Sequence, residues 1–199
     1  MTQTDDHPAT RMRAAERREL VLDAAMQVFG DYGYVGSTTA QVARAAGVSQ
    51  PYVVRMFGTK EQLFLDVITR ALERLLTSFR QAVADTASAE PLTQRLGSAY
   101  VNQLRDRGLL LSLMHAFVLG KDPVIGPAGR GGFMQVYRFL RDEAGFGAAE
   151  AQGFLAEGML INTMIGLRMT DEFDGDPEVR ELLECAFPTK IDLVRSLAQ

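Results

Sequence analysis

Hydrophobic positions recur every three or four residues along most of this chain, the spacing of one face of an α-helix. Over residues 13–31, Val21, Ala24, Ala25, Val28 and Phe29 form one stripe, and Gly33 supplies a stop. The longest pattern follows Gly58. Phe64, Val67, Ile68, Ala71, Leu72, Leu75, Leu76, Phe79 and Val83 fit the i, i+3, i+4, i+7 template, with Thr59 as cap and Glu61 in the first turn. This predicts a helix over residues 59–85, roughly 40 Å long at about 1.5 Å per residue. Further helices are predicted over 92–105, 109–120, 131–144, 149–169 and 178–197, separated by breaks such as Glu90-Pro91 and Gly175-Asp176-Pro177. Pro188 should kink or split the last of them. Residues 125–132 hold Gly126, Gly129, Gly131 and Gly132 and read as a mobile loop. No run alternates with period two, so the expected fold class is all-α.

Two short predicted helices stand apart from this pattern. Thr38 is placed to cap the first, whose Val42, Ala43 and Ala46 face inward and are small enough for close packing. Gly47 sits where the chain turns sharply, Val48 plugs the turn, Ser49 caps the second helix and Pro51 occupies its first turn. Val53, Met56 and Phe57 form that helix's inward face. Two short helices joined by a tight Gly-bearing turn match a helix-turn-helix, whose second helix enters the major groove of duplex DNA. At 100° per residue, Pro51 and Arg55 point most directly away from Val53, with Tyr52 and Val54 flanking them and Gln50 at the helix start.

The chemistry of that outward face suits base and phosphate contacts. Arg55 can fork onto guanine or grip a phosphate, Gln50 can pair with an adenine edge, and Pro51 or Val54 can touch a thymine methyl. Thr38, Thr39, Tyr52 and Lys60 suit phosphate contacts, which position without specifying. Arg11 and Arg13 are candidates for an arm reaching the backbone or minor groove. Taken singly, Arg11, Arg13, Arg17 and Arg18 also fit a solvated helix face.

The charge distribution supports a small reading head on a larger body. The whole chain of 199 residues carries a net charge of −4, yet residues 11–60 hold seven Arg or Lys against four Asp or Glu. Attraction to phosphate is therefore confined to the first third, and the remainder repels DNA. A composition of 47% hydrophobic and 23% charged residues is that of a folded globular chain. The single cysteine, Cys185, forms no internal disulfide, and His7 and His115 lie in no Cys or His cluster, so neither a metal site nor a cofactor is expected. The N-terminus lacks the apolar core of a signal peptide, and the most apolar stretch, 154–169, is interrupted by Glu157, Asn162 and Arg168. A cytoplasmic protein without membrane attachment is expected.

The combination of Gly33-Tyr34, Thr38, Val42-Ala43, Ala46-Gly47-Val48-Ser49, Phe57, Lys60-Glu61 and Leu63-Phe64 resembles the tetracycline-repressor (TetR) family of bacterial transcriptional regulators. The resemblance covers about residues 14–65. It implies an N-terminal three-helix helix-turn-helix domain, a linking fourth helix and a larger helical ligand-binding and dimerisation domain. The sequence departs from the family pattern at Pro51, where Gly is frequent, and at Val54, where a phosphate-contacting Tyr is common. Tyr52 is the candidate to take over that contact.

These readings divide the chain into a disordered tail (1–10), a DNA-binding domain (11–58) and a regulatory and dimerisation domain (59–199). Phe154, Leu155, Met159, Leu160, Ile161, Met164, Ile165 and Leu167 nearly encircle their predicted helix, which must then be buried on both sides. The expected homodimer interface comprises Phe154, Leu155, Met159 and Ile165 with Val179, Leu182, Leu183, Ala186, Ile191 and Val194 of the last helix. A helix central to a monomer core is the alternative. Two-fold symmetry predicts a pseudo-palindromic operator. Phe79, Tyr100, Met114, His115, Phe117, Phe133, Tyr137, Met159 and Asn162 are candidates to line a largely apolar pocket for a small-molecule effector. The expected function is a homodimeric repressor released from its operator by that effector. Its rivals are an activator or ligand-free regulator, a helical enzyme and a protein-interaction module. Against an enzyme, no segment pairs a nucleophile with His, sets carboxylates in a Gly-rich cleft or forms a phosphate loop.

Overall fold

The computed structural model describes residues 14–188 and 190–196, with the backbone alone at Val194 and Ser196. The expected tail and the arm residues Arg11 and Arg13 lie outside the described residues, as does the side chain of Val194. The described residues form helices α1 (Ala14–Gly36), α2 (Thr39–Ala45), α3 (Gln50–Phe57), α4 (Lys60–Ala84), α5 (Leu92–Asn102), α6 (Arg107–Val118), α7 (Ile125–Arg138), α8 (Ala148–Gly166), α9 (Pro177–Ala186) and α10 (Ile191–Ser196). Short 3-10 turns follow α5 and α8, a π turn follows α7, and no strand occurs among the described residues. The all-α expectation holds.

Local sequence sets most of the boundaries. Thr38 and Gln41 form a reciprocal cap, with Gln41 N donating to Thr38 Oγ1 at 3.2 Å and Thr38 N donating to Gln41 Oε1 at 2.8 Å. Thr59 Oγ1 accepts from Gln62 N at the start of α4, and Asp176 Oδ1 accepts from Glu178 N and Val179 N at the start of α9. Each such cap stabilises its helix by about 1 kcal/mol. Ser49 differs from expectation. It occupies the cap position of α3 with extended backbone, but its side chain makes no capping bond. Helix α1 also runs past its expected end to Gly36, bending at Gly33, whose φ of 68° suits a residue without Cβ. The last helix is split around Pro188 into α9 and α10, as its missing N–H and the clash of its ring with the preceding turn require.

The largest departure concerns residues 125–132, which open α7 rather than forming a loop. Asp122 Oδ1 accepts from the backbone N of Val124 and Ile125 and so caps the helix. The glycines serve packing. A Cβ on Gly129 would stand 2.9 Å from the Ala116 carbonyl oxygen of α6, and one on Gly126 would strike the backbone of Gly120. Close helix approach outweighs the roughly 1 kcal/mol that each interior glycine costs a helix.

Helix α4 belongs to both halves of the molecule. Its first turns close the core of α1–α3, where Phe29 meets Phe64 edge-on at 4.8 Å and Tyr34 lies 5.1 Å from Phe64. Val21, Ala25, Val42, Val53 and Leu63 complete this core. Its later turns carry Leu72, Leu75 and Phe79 into a second core with α5–α8, where Phe79 packs on Phe139, Phe154 and Tyr100. A second joint is the broad contact between α1 and α6.

Candidate nucleic-acid interface

Helices α2 and α3 meet through Val42, Ala43 and Val53, all buried, across the turn at Gly47, whose φ is 64°. That packing leaves one face of α3 in solvent. Gln50, Pro51, Val54 and Arg55 are exposed on it, Val54 by 42%, and Tyr52 is half-buried. The Arg55 guanidinium lies over the Tyr52 ring at 5.1 Å from its centroid, which orders both side chains while leaving the Arg donors accessible. Gln50 Nε2 donates to Thr39 Oγ1 at 3.1 Å, tying the start of α3 to the start of α2. The candidates Thr39, Gln50, Tyr52 and Arg55 are therefore linked in pairs. Thr38 is exposed, but its hydroxyl is engaged with Gln41.

Lys60 stands differently from the sequence expectation of a phosphate contact. Its ammonium donates to the carbonyl oxygens of Tyr34 at 2.9 Å and Ser37 at 3.0 Å and lies 4.4 Å from the centre of the Tyr34 ring. The carbonyls at and just beyond the end of α1 attract a cation, so Lys60 clamps the end of α1 and the turn after it to α4 instead of reaching outward. Arg18 is likewise engaged, pairing with Asp66 at 2.6 Å and covering Phe57. Arg17, one residue earlier, lines an open cleft with Leu20, Gly47, Ser49 and Tyr52 beside the start of α3. Sequence spacing alone does not separate these two arginines. Their difference follows from which side of α1 faces α4.

The junction behind this surface is ionic. Arg70 pairs with Glu19 and Asp23, and Arg74 pairs with Asp106 at 2.8 Å and Asp23 at 3.7 Å. Burial holds the Arg70 guanidinium below, and the Asp23 carboxyl above, its ordinary value. In α1 and α4 these groups recur at helical spacing, so the ladder braces α1 against α4 and the turn before α6.

In the second core, α4, α5, α6, α7 and α8 line a partly open apolar cavity of about 60 Å³. Six of the expected pocket residues line it: Phe79, Tyr100, Phe117, Phe133, Met159 and Asn162. Tyr100 Oη donates to Asn162 Oδ1 at 2.7 Å, and burial raises its phenol pKa, so it stays a neutral donor. Met114 and His115 line a different cleft, with Gly30, Asp31 and Arg107, because their side of α6 faces α1. His115 Nε2 lies 3.3 Å from the Gly30 carbonyl oxygen, as a hydrogen-bonded packing histidine does. Tyr137 is half-buried and packs against the core outside the cavity lining. Leu72, Leu75, Leu110, Leu113 and Val136, not among the expected pocket residues, also line the wall. Their signal was helical spacing, which does not distinguish a cavity wall from solid core.

The expected dimer residues divide in the same way. Phe154, Leu155 and Met159 line the interior cavity, and Ile165 and Leu183 are 5% and 0% exposed within their own subunit. They are turned inward because positions 154, 155, 158, 159 and 162 form the stripe of α8 that meets the core. The opposite stripe, Gly153, Ala156, Leu160, Thr163 and Leu167, is exposed, with Leu160 at 44% and Leu167 at 69%. Leu182 of α9 is exposed as well, while Val179, Ala186 and Ile191 are half-buried.

Among the described residues no helix is long and apolar enough to cross a membrane. Residues 21–67, which span α2, α3 and the flanking parts of α1 and α4, match the family described as "Bacterial regulatory proteins, tetR family". The chain is 37% identical over 89 residues to the HTH-type transcriptional activator FasR of Mycolicibacterium smegmatis, covering 45% of this chain and 39% of FasR. It is 42% identical over 59 residues to the HTH-type transcriptional regulator BetI of Rhizobium meliloti, covering 30% of this chain and 29% of BetI. These matches span less than half the length of the curated relatives. A crystal structure of a TetR-like transcriptional regulator from Rhodococcus sp. RHA1 superposes with a TM-score of 0.61 over 94% of this chain and 96% of that one at 20% identity, a likeness of fold. The likeness to the tetR family of bacterial regulatory proteins is thus carried by the helix-turn-helix and its flanking helices, residues 21–67.

Proposed function

We propose that the protein is a sequence-specific DNA-binding transcriptional regulator, a homodimeric repressor that a small-molecule effector releases from a pseudo-palindromic operator. Residues 11–58 are its reading domain and 59–199 its regulatory domain. The observation that carries this reading is the exposed α3 face of Gln50, Pro51, Tyr52, Val54 and Arg55, with Arg55 stacked on Tyr52. Arg55 and Gln50 read base edges, and Tyr52, Thr39 and Arg17 contact phosphate. The exposed stripe Gly153, Ala156, Leu160, Thr163 and Leu167, with Leu182, meets its counterpart in a second copy, its small residues permitting close approach. The apolar cavity between α4 and α8 holds the effector, which acts by binding the DNA-incompetent state more tightly.

A footprint on the DNA upstream of the chain's own coding region tests this. Two protected half-sites with centres roughly 34–36 Å apart, or a multiple of that, are expected. A single half-site, or no protection, contradicts the dimeric reading. The activator name of its relative FasR favours a second reading, in which the bound protein recruits rather than blocks polymerase. Transcription from the footprinted promoter decides between them: added protein lowers it in the first reading and raises it in the second.

A further inference from the structure

We propose that the cleft between α1, α6 and the end of α8 binds a small aromatic carboxylate, at a site outside the core cavity. The cleft has a volume of about 660 Å³, within the range of small-molecule sites, and is open to solvent. On α6, Arg107, Leu111, Met114 and Val118 form the stripe that faces it, whereas Leu110, Leu113 and Phe117 face the core cavity. No residue lines both.

The apolar part of the cleft is partly bare. Leu111 is buried and Met114 half-buried, while Tyr32 and Val118 are 60% and 78% exposed. A flat ring laid there would cover this surface, with the Tyr32 ring and the Met114 thioether as favourable neighbours. A bare ion would leave it wet.

Two guanidiniums supply the charge. Arg107 donates through Nη2 to the Ile165 carbonyl oxygen at 3.1 Å, and its Nε is buried without an acceptor. No carboxylate of the described residues pairs with it. Arg168 donates through Nε to Asp171 at 2.7 Å, which leaves its terminal nitrogens for a second carboxylate. Asp31 is the one acidic side chain among the lining residues, so the lining carries a net positive charge.

The backbone at Arg168 is an independent sign. It follows the C-cap of α8 with a φ of 56°, the only positive φ outside glycine among the described residues. Glycine is the usual residue at such a helix end, and a side chain there strains the backbone. The strain is retained where it brings a guanidinium to the cleft. A planar carboxylate matches that fork in both charge and geometry.

NMR of the full chain, labelled with carbon-13 at the methionine methyl groups and titrated with 1-naphthoate, tests the proposal. Met114 lines the cleft and Met159 the core cavity, so each reports on one site. The Met114 signal should move to saturation while the Met159 signal stays in place. A stationary Met114 signal, or a movement at Met159 as large as that at Met114, overturns the proposal. 1-Naphthamide has the shape without the charge, and acetate the charge without the ring. Each should bind at least about ten-fold more weakly than 1-naphthoate, and equal binding of either overturns the proposal. Arg168→Gly should still fold, because glycine suits the left-handed backbone, yet should weaken 1-naphthoate at least about ten-fold. Arg168→Gln, which keeps most of the side chain without its charge, should weaken it as much. Wild-type affinity in either variant overturns the assignment.

Discussion

Ser112 Oγ of α6 donates a 3.0 Å hydrogen bond to the Met26 carbonyl oxygen of α1, fastening the core around α4–α8 to the first helix. One turn away the two backbones meet at Gly30 and Gly108, where a Cβ on Gly108 would stand 2.8 Å from the Met26 carbonyl oxygen. The same side of α6 continues to His115, whose ring fills the space beside Gly33. Leu110, Leu113 and Phe117 of the same helix line the cavity. Helix α6 thus contacts both the cavity and α1. Gly108→Ala forces backbone apart and should destabilise the fold by about 1–3 kcal/mol. Ser112→Ala should lose about 0.5–1.5 kcal/mol. Urea unfolding of both variants checks these values.

Lys60 and Arg55 should separate stability from DNA affinity. Lys60→Ala removes a clamp on two carbonyls and should lower stability by about 1–3 kcal/mol. Arg55→Ala lies on an exposed surface and should change stability by less than about 0.5 kcal/mol. Thermal melts of the two variants give the comparison directly.

The glycines of α7 should respond in opposite directions to alanine. At Gly131 an added methyl meets nothing within 4 Å, so Gly131→Ala should stabilise the helix by about 0.5–1 kcal/mol. At Gly129 the methyl meets the Ala116 carbonyl, so Gly129→Ala should destabilise. If residues 125–132 were a loop, both substitutions would be close to neutral in chemical denaturation.

Glu143 provides a pH signature. Its bidentate hydrogen bonds from Arg80 lower its pKa in the folded state below the ordinary 4.5. The resulting stability is therefore fully present above that value and lost as pH falls through the lower folded pKa. The pair is exposed, so the effect is small. The melting difference between wild type and Glu143→Gln should be present at pH 6 and shrink progressively as pH falls below 4.5.

Much of this architecture was legible because helical periodicity and capping chemistry are local. Thr38, Gly47, Thr59 and Pro188 mark boundaries through their own side chains or φ preferences. What escaped depends on partners distant in sequence. Gly126 and Gly129 read as helix-breaking until the backbones of Gly120 and Ala116 are placed against them. Lys60 reads as a free cation until α1 brings two carbonyls to it. In α8, apolar residues on all sides obscured which stripe faces inward, since Leu160 and Met159 differ only by 100° of rotation.

The most direct test of the central claim is fluorescence anisotropy of the full chain on labelled duplex from its own upstream region, titrated at several salt concentrations. Affinity should fall steeply and linearly on a log–log salt plot. Arg55→Ala should weaken binding by about 1–3 kcal/mol and relax sequence preference. Tyr52→Ala should weaken binding to all sequences alike. Unchanged affinity and sequence preference in both variants would contradict α3 as the reading helix.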